Sequence, residues 1–173
     1  LPANSLKELV AWMNSGVAVK FAHPGVGNMG HLCAALFNQA VGAQNIDYIP
    51  YRGGAPATQD VIAGHADLFC STAQLVMQPI IANTVKGFGI TAKEALPQLP
   101  RVVSLVKELG PKLEITYWHA LFAPAGTPRP IVDKLNAALR DVVADPKIAK
   151  AWADTGVLVY PREQQTPEAA VEL

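Results

Sequence analysis

The segment VAVKFAHPGVGNMGHLCAALFNQA, residues 17–40, decides the fold class. Val17 to His23 is β-branched and aromatic, the composition of a strand, and Pro24-Gly25-Val26-Gly27 breaks it. Asn28 can cap the next segment, where Met29, Leu32, Cys33, Leu36, Phe37 and Ala40 recur on one helical face. The unit is strand, glycine turn, helix. It repeats at once, with Ile46 to Tyr51 as strand, Arg52-Gly53-Gly54-Ala55 as turn, Pro56 as first helical residue and Gly64 as stop. Ala66 to Cys70 reads as a third strand.

Toward the start of the chain, Ser5 and Glu8 form a capping box for a helix over Leu6 to Met13, which Gly16 stops. Past the third strand, Ser71 and Thr72 are candidate caps for a helix reaching about Asn83, with Pro79 as a kink or end. Val85 to Thr91 reads as a fourth strand, Val102 to Leu109 as a short helix, and Glu114 to Pro124 as the longest extended segment. Thr127 reads as a cap and Pro128 as the entry to a helix with a buried stripe of Ile131, Leu135, Leu139 and Val142. Asp145-Pro146 restarts a helix, Val157 to Tyr160 reads as a strand, and Thr166-Pro167-Glu168 opens a last helix. Strands alternating with helices predict an α/β fold with a mostly parallel sheet covered on both faces.

The composition narrows the function classes. Among 173 residues, 14 basic and 14 acidic side chains cancel, so no basic field exists to hold nucleic acid or an anionic membrane. No apolar run approaches the roughly 18 residues that span a bilayer. Charged residues are only 16% and apolar residues 50%, which means extensive burial or a surface meant to be covered. The first residue is Leu1 rather than Met, and the chain reads as a piece of a longer protein. Cys33 and Cys70 fit neither a disulfide scaffold nor a zinc knuckle, and the isolated histidines give no metal site.

In an open α/β sheet, ligands bind outside the carboxyl ends of the strands. Three turns collect there. Gly25-Val26-Gly27-Asn28-Met29-Gly30 matches G-x-G-x-x-G, whose small residues let backbone N–H groups of a helix start approach an anion, with His31 beside them as a further donor. Arg52-Gly53-Gly54-Ala55 adds flexible backbone and a guanidinium able to grip a carboxylate. Cys70-Ser71-Thr72 adds two hydroxyls. A dinucleotide site would also want an acidic residue at the end of the second strand, where the chain has Pro50-Tyr51-Arg52; Arg52 instead leaves open an NADP-dependent oxidoreductase as the alternative. No nucleophile elbow is present, and no catalytic residue is assigned.

Read in order, five blocks resemble the Bug-type solute receptors of tripartite tricarboxylate transporters. They are Phe21 to Gly27 with Gly30-His31-Leu32, Ile49 to Ala57, Ala63 to Leu68, Tyr117 to Pro128, and Val132 to Asn136. The resemblance implies a periplasmic-binding-protein-like, two-lobed Venus-flytrap fold with one complete lobe and part of the other. Residues 1–115 would be the second lobe and 116–173 a return segment of the incomplete first lobe, with about a hundred residues and an export signal lying before Leu1. It implies an extracytoplasmic, periplasmic protein that performs no chemistry and uses no cofactor. Such a receptor captures a small organic acid or similar solute and delivers it to membrane permease subunits. The site residues so implied are Gly25, Gly27, Asn28, Met29, Gly30, His31, Arg52, Gly53, Gly54 and Ala55, with Ser71 and Thr72 beside them. Where many relatives carry an acidic residue after the third strand, this chain has Ser71-Thr72, which favours an acid lacking an amine.

Overall fold

The computed structural model describes residues 1–172, which form two compact units, one over Leu1–Tyr117 and one from Trp118 onward. In the first, β1 (Val19–His23), β2 (Ile46–Pro50) and β3 (Leu68–Phe69) make a parallel sheet in the order β2-β1-β3. The register pairs Val19 with Ile46, Phe21 with Tyr48 and His23 with Pro50, while Phe21 and Ala22 pair with Leu68 and Phe69. Alternation then separates the faces. Val19 and Phe21 lie in one cluster with Leu9 and Met13 of α1 (Leu6–Met13) and with Ala34 and Phe37 of α2 (Met29–Val41). Ala22 faces the other way, against Ala57 of α3 (Gly54–Ile62) and Ala66.

The larger core holds its aromatics in register. The Phe21 ring meets Phe37 edge-on at 6.4 Å and stacks on Tyr48 at 6.2 Å, pairs that add about 0.5–1.5 kcal/mol each beyond their burial. Helix ends follow the sequence closely. Ser5 Oγ accepts from the Glu8 N–H, and Glu8 Oε2 accepts from the Asn4 N–H, one residue before the cap. Asn28 caps α2, and Gly42 ends it in the left-handed conformation.

Other elements are shorter than read, because a strand exists only where a second strand pairs with it. Of Val85 to Thr91, only Gly89–Ile90 (β4) pairs, and its partner is Val103–Ser104 (β5) in a separate two-stranded parallel sheet. The segment read as helix from Val102 therefore begins as strand. Ser104 then caps α5 (Leu105–Leu109) by accepting from the Lys107 N–H. Thr72, not Ser71, is the cap residue of α4 (Ala73–Ile81), without a side-chain bond, and Pro79 sits inside that helix. Glu114 to Pro124 forms no strand; within unit 1 its start is held by the Ile115 N–H on the Thr91 carbonyl and by Thr91 Oγ1 on the Ile115 carbonyl. Val157 to Tyr160 is likewise unpaired chain.

The second unit contains α6 (Arg129–Ala144), α7 (Pro146–Ala153), a 3-10 turn at Arg162–Gln164 and α8 (Pro167–Val171). Pro128 is the cap residue of α6, and Thr127 Oγ1 instead donates to the Pro124 carbonyl. Asp145 and Thr166 cap their helices as expected. None of the described residues in this unit is buried. The stripe Ile131, Leu135, Leu139 and Val142 keeps its helical period but is 38% to 50% exposed, so the expectation of burial fails: no element of the unit covers that face. Among the described residues no helix is long and apolar enough to cross a membrane.

Candidate functional site

The three turns meet at the carboxyl end of the sheet. The Tyr51 N–H donates to the His23 carbonyl at 2.9 Å and the Gly53 N–H to the Pro24 carbonyl at 3.2 Å, which clamps the second turn to the first. Gly30 brings α2 against the third turn, since a Cβ there would stand 2.7 Å from the Cys70 carbonyl oxygen and 2.7 Å from Pro24 Cδ. A disulfide joins Cys33, one turn into α2, to Cys70, with Cα atoms 6.1 Å apart. The sequence spacing fits no cysteine motif because the bond is made by tertiary placement, across 37 residues.

Gly25 at φ 135° and Gly27 at φ 78° let the first turn leave β1 and enter α2 sharply. Its amides are largely used internally. The Asn28 N–H donates to the Gly25 carbonyl at 3.3 Å, the Gly30 N–H to Asn28 Oδ1 at 3.0 Å, and the Gly27 N–H to His31 Nδ1 at 3.2 Å. The expectation of free donors from Gly27 to Gly30 therefore holds at Met29 alone, whose N–H has no acceptor among the described residues. His31, read as a donor, is an acceptor at Nδ1. The spacing of four between Gly27 and His31, which sets a first-turn side chain over the loop amide, is the signal in the sequence.

Around that turn lie polar groups without partners. His23, at the end of β1, is 2% exposed and stacks on His31 at 4.4 Å, and its Nδ1 is buried without a hydrogen bond. Ser71 Oγ is also buried and unpartnered. Arg52 is exposed and, among the described residues, pairs with no carboxylate. No acidic residue belongs to the three turns, so the groups on offer are an amide, a hydroxyl, a guanidinium and two imidazoles. That set suits an oxyanion. Gly54 lies in the first turn of α3 close to Leu75, and Gly53 and Ala55 flank it as backbone.

Tyr51 anchors the second turn from the opposite face. Its hydroxyl donates to Asp60 Oδ2 at 2.7 Å, and His65 Nδ1 lies 3.5 Å from Asp60 Oδ1. The phenol's hydrogen bond holds the Asp60 carboxyl below its ordinary value, and the same bond pushes the Tyr51 phenol above its own. A depressed carboxyl stabilises the fold above its unfolded pKa and loses that contribution as pH falls through the folded value. A raised phenol contributes below its unfolded pKa and loses it as pH rises through the folded value. Unfolding followed against pH should therefore show Tyr51→Phe removing a small stabilisation at neutral pH and none at pH 2. An equal effect at both pH values would show that the bond contributes nothing.

The sequence matches the family model described as the tripartite tricarboxylate transporter family receptor over residues 1–172. A UPF0065 protein of Agrobacterium vitis is 35% identical over 98% of this chain and 49% of its own length. The periplasmic binding protein BugD superposes with a TM-score of 0.93 at 33% identity, over 98% of this chain and 56% of that one. MatC from Rhodopseudomonas palustris, solved with bound malate, gives a TM-score of 0.90 at 30% identity over 99% and 58%. The chain thus spans about half the length of the relatives it matches, with the α/β fold of periplasmic binding proteins. By sequence along nearly all of its length and by fold, the chain belongs to the receptor family of the tripartite tricarboxylate transporters.

Proposed function

We propose that the three-turn end of the sheet is a carboxylate seat, and that the chain supplies it to an extracytoplasmic receptor that hands a small organic acid to permease subunits of a tripartite tricarboxylate-type transporter. In this reading one ligand carboxylate meets the Met29 N–H and the Ser71 hydroxyl, with Arg52 beside them. Gly25, Gly27, Asn28, Gly30, Gly53, Gly54, Ala55 and Thr72 shape the seat. The observation that carries it is the convergence of unpartnered donors on turns without any acid. The malate in a relative at 30% identity supports the ligand class. The disulfide supports an oxidising, extracytoplasmic setting. Residues 1–115 act as one lobe of the receptor and 116–173 as a segment of the other.

The affinity of the seat alone is limited. A helix start contributes roughly 0.3–1 kcal/mol when exposed and up to about 2 when partly buried, whereas micromolar binding needs about 8. Enclosure between two lobes must supply the remainder. Malate titrated to tens of millimolar into the 15N-labelled chain should therefore bind with a dissociation constant in the millimolar range. The largest amide shifts should fall on residues 25–31, 52–55 and 71–72. Arg52→Gln should weaken binding about tenfold, as expected for loss of one charge-assisted bond. Shifts absent from these turns, or centred elsewhere, would overturn the proposal.

A further inference from the structure

We propose that His31 is a proton-coupled latch on the seat: its Nδ1 holds the Gly27 N–H while the seat is empty, and an arriving carboxylate takes that N–H and turns Nδ1 into a second donor, so that capture takes up one proton. This rests on the carboxylate seat described above.

The geometry sets the empty state. The Gly27 N–H points at His31 Nδ1 across 3.2 Å, and a nitrogen that accepts cannot carry a proton, so the ring is neutral with its hydrogen on Nε2. A second amide of the turn, beside the free Met29 N–H and between two positive-φ glycines, is thereby occupied by a side chain four residues on. A carboxylate oxygen is a stronger acceptor than a neutral imidazole for that N–H. When it displaces Nδ1, the Gly27 N–H···Nδ1 bond breaks and an N–H···O bond forms. The released Nδ1 takes a proton from solvent and donates to the same carboxylate, while Nε2 keeps its own; no covalent bond between heavy atoms changes.

Its surroundings decide where the charge settles. Two aromatic rings face His31, His23 from β1 at 4.4 Å and Tyr48 from β2 at 5.8 Å. His23 is buried with Nδ1 unpartnered. His31 is the more exposed ring of the stacked pair and sits on the turn that meets the anion. On the turns themselves the charged residue is Arg52, and Cys33 and Cys70 are tied in the disulfide and do not titrate. An arriving carboxylate is the group that makes protonation of His31 favourable. The latch also predicts selectivity, since a neutral solute has no charge with which to draw the proton.

Side-chain and amide 15N spectra of the chain test both halves. Without ligand, acidification should move the Gly27 amide resonance in step with His31 Nδ1. A Gly27 amide blind to that titration overturns the latch whether or not any acid binds. With malate, the apparent affinity should fall about tenfold per pH unit above the free His31 titration, the slope for uptake of one proton, and bound malate should protonate Nδ1. His31→Gln should lose that pH dependence. Malate that binds at the turns with pH-independent affinity and leaves His31 neutral overturns the latch and spares the seat. Malate that perturbs none of the three turns overturns the seat and the latch's coupling to it.

Discussion

Reduction of the Cys33–Cys70 disulfide should destabilise the first unit by about 4 kcal/mol and loosen the seat at the same time. Closing a loop across 37 residues removes chain entropy from the unfolded state worth about 4 kcal/mol by the loop-closure relation. A domain of this size is stable by only about 5–15 kcal/mol in all, so the loss is a large fraction of the total. At about 4–8 °C per kcal/mol the thermal midpoint should fall by roughly 15–30 °C. The bond also ties the start of α2 to the turn carrying Ser71 and Thr72. Its loss should therefore shrink the malate-induced shifts at residues 71–72 even at temperatures where the reduced unit remains folded. Thermal unfolding with and without reductant, repeated on Cys33→Ser/Cys70→Ser, measures the first effect, and malate titration of the folded reduced chain measures the second. Superimposable oxidised and reduced midpoints would refute the stabilising role.

That bond shows where reading the sequence stops. Local devices were legible because each is written in adjacent residues: the Ser5 cap with its Glu8, the Asn28 cap, and the Gly25 and Gly27 turn into the apolar face of α2. The parallel α/β class followed from their repetition. Pairing was not legible, since a strand or a disulfide depends on what arrives from elsewhere. Val85 to Thr91 has the composition of a strand, yet only Gly89 and Ile90 find a partner, and Val157 to Tyr160 finds none. The stripe of α6 has the period of a packed face without a cover in its own unit. At the site, the three turns were named from the rule that ligands gather at strand ends. Their amides were read as open because a glycine pattern says nothing of which side chain folds back to fill them, as His31 does for Gly27.

Gly30→Ala should abolish the malate response of the seat, and for a reason unrelated to backbone freedom. Helix propensity by itself favours alanine over glycine by about 0.5–1 kcal/mol. Against that, the added Cβ would lie 2.7 Å from the Cys70 carbonyl oxygen and 2.7 Å from Pro24 Cδ, and neither can retreat. Cys70 is tied to α2 by the disulfide, and Pro24 is fixed through its carbonyl, which accepts from the Gly53 N–H. Overpacking of this kind costs about 1–3 kcal/mol, and relief requires all three turns to separate, which disperses the donors on them. Two neighbouring glycines calibrate the effect. Gly54→Ala meets Leu75 Cδ1 at 2.5 Å, but that is the end of a flexible side chain in a helix, so the substitution should be nearly neutral. Gly27→Ala meets nothing within 4 Å and suffers only its φ of 78°, a cost of about 1–2 kcal/mol. Unfolding midpoints should therefore rank wild type and Gly54→Ala above both Gly27→Ala and Gly30→Ala, and malate-induced shifts should vanish in Gly30→Ala while surviving in Gly54→Ala. A Gly30→Ala protein as stable as wild type, with its malate response intact, would mean that the close approach of α2 to Cys70 and Pro24 does not hold the seat together.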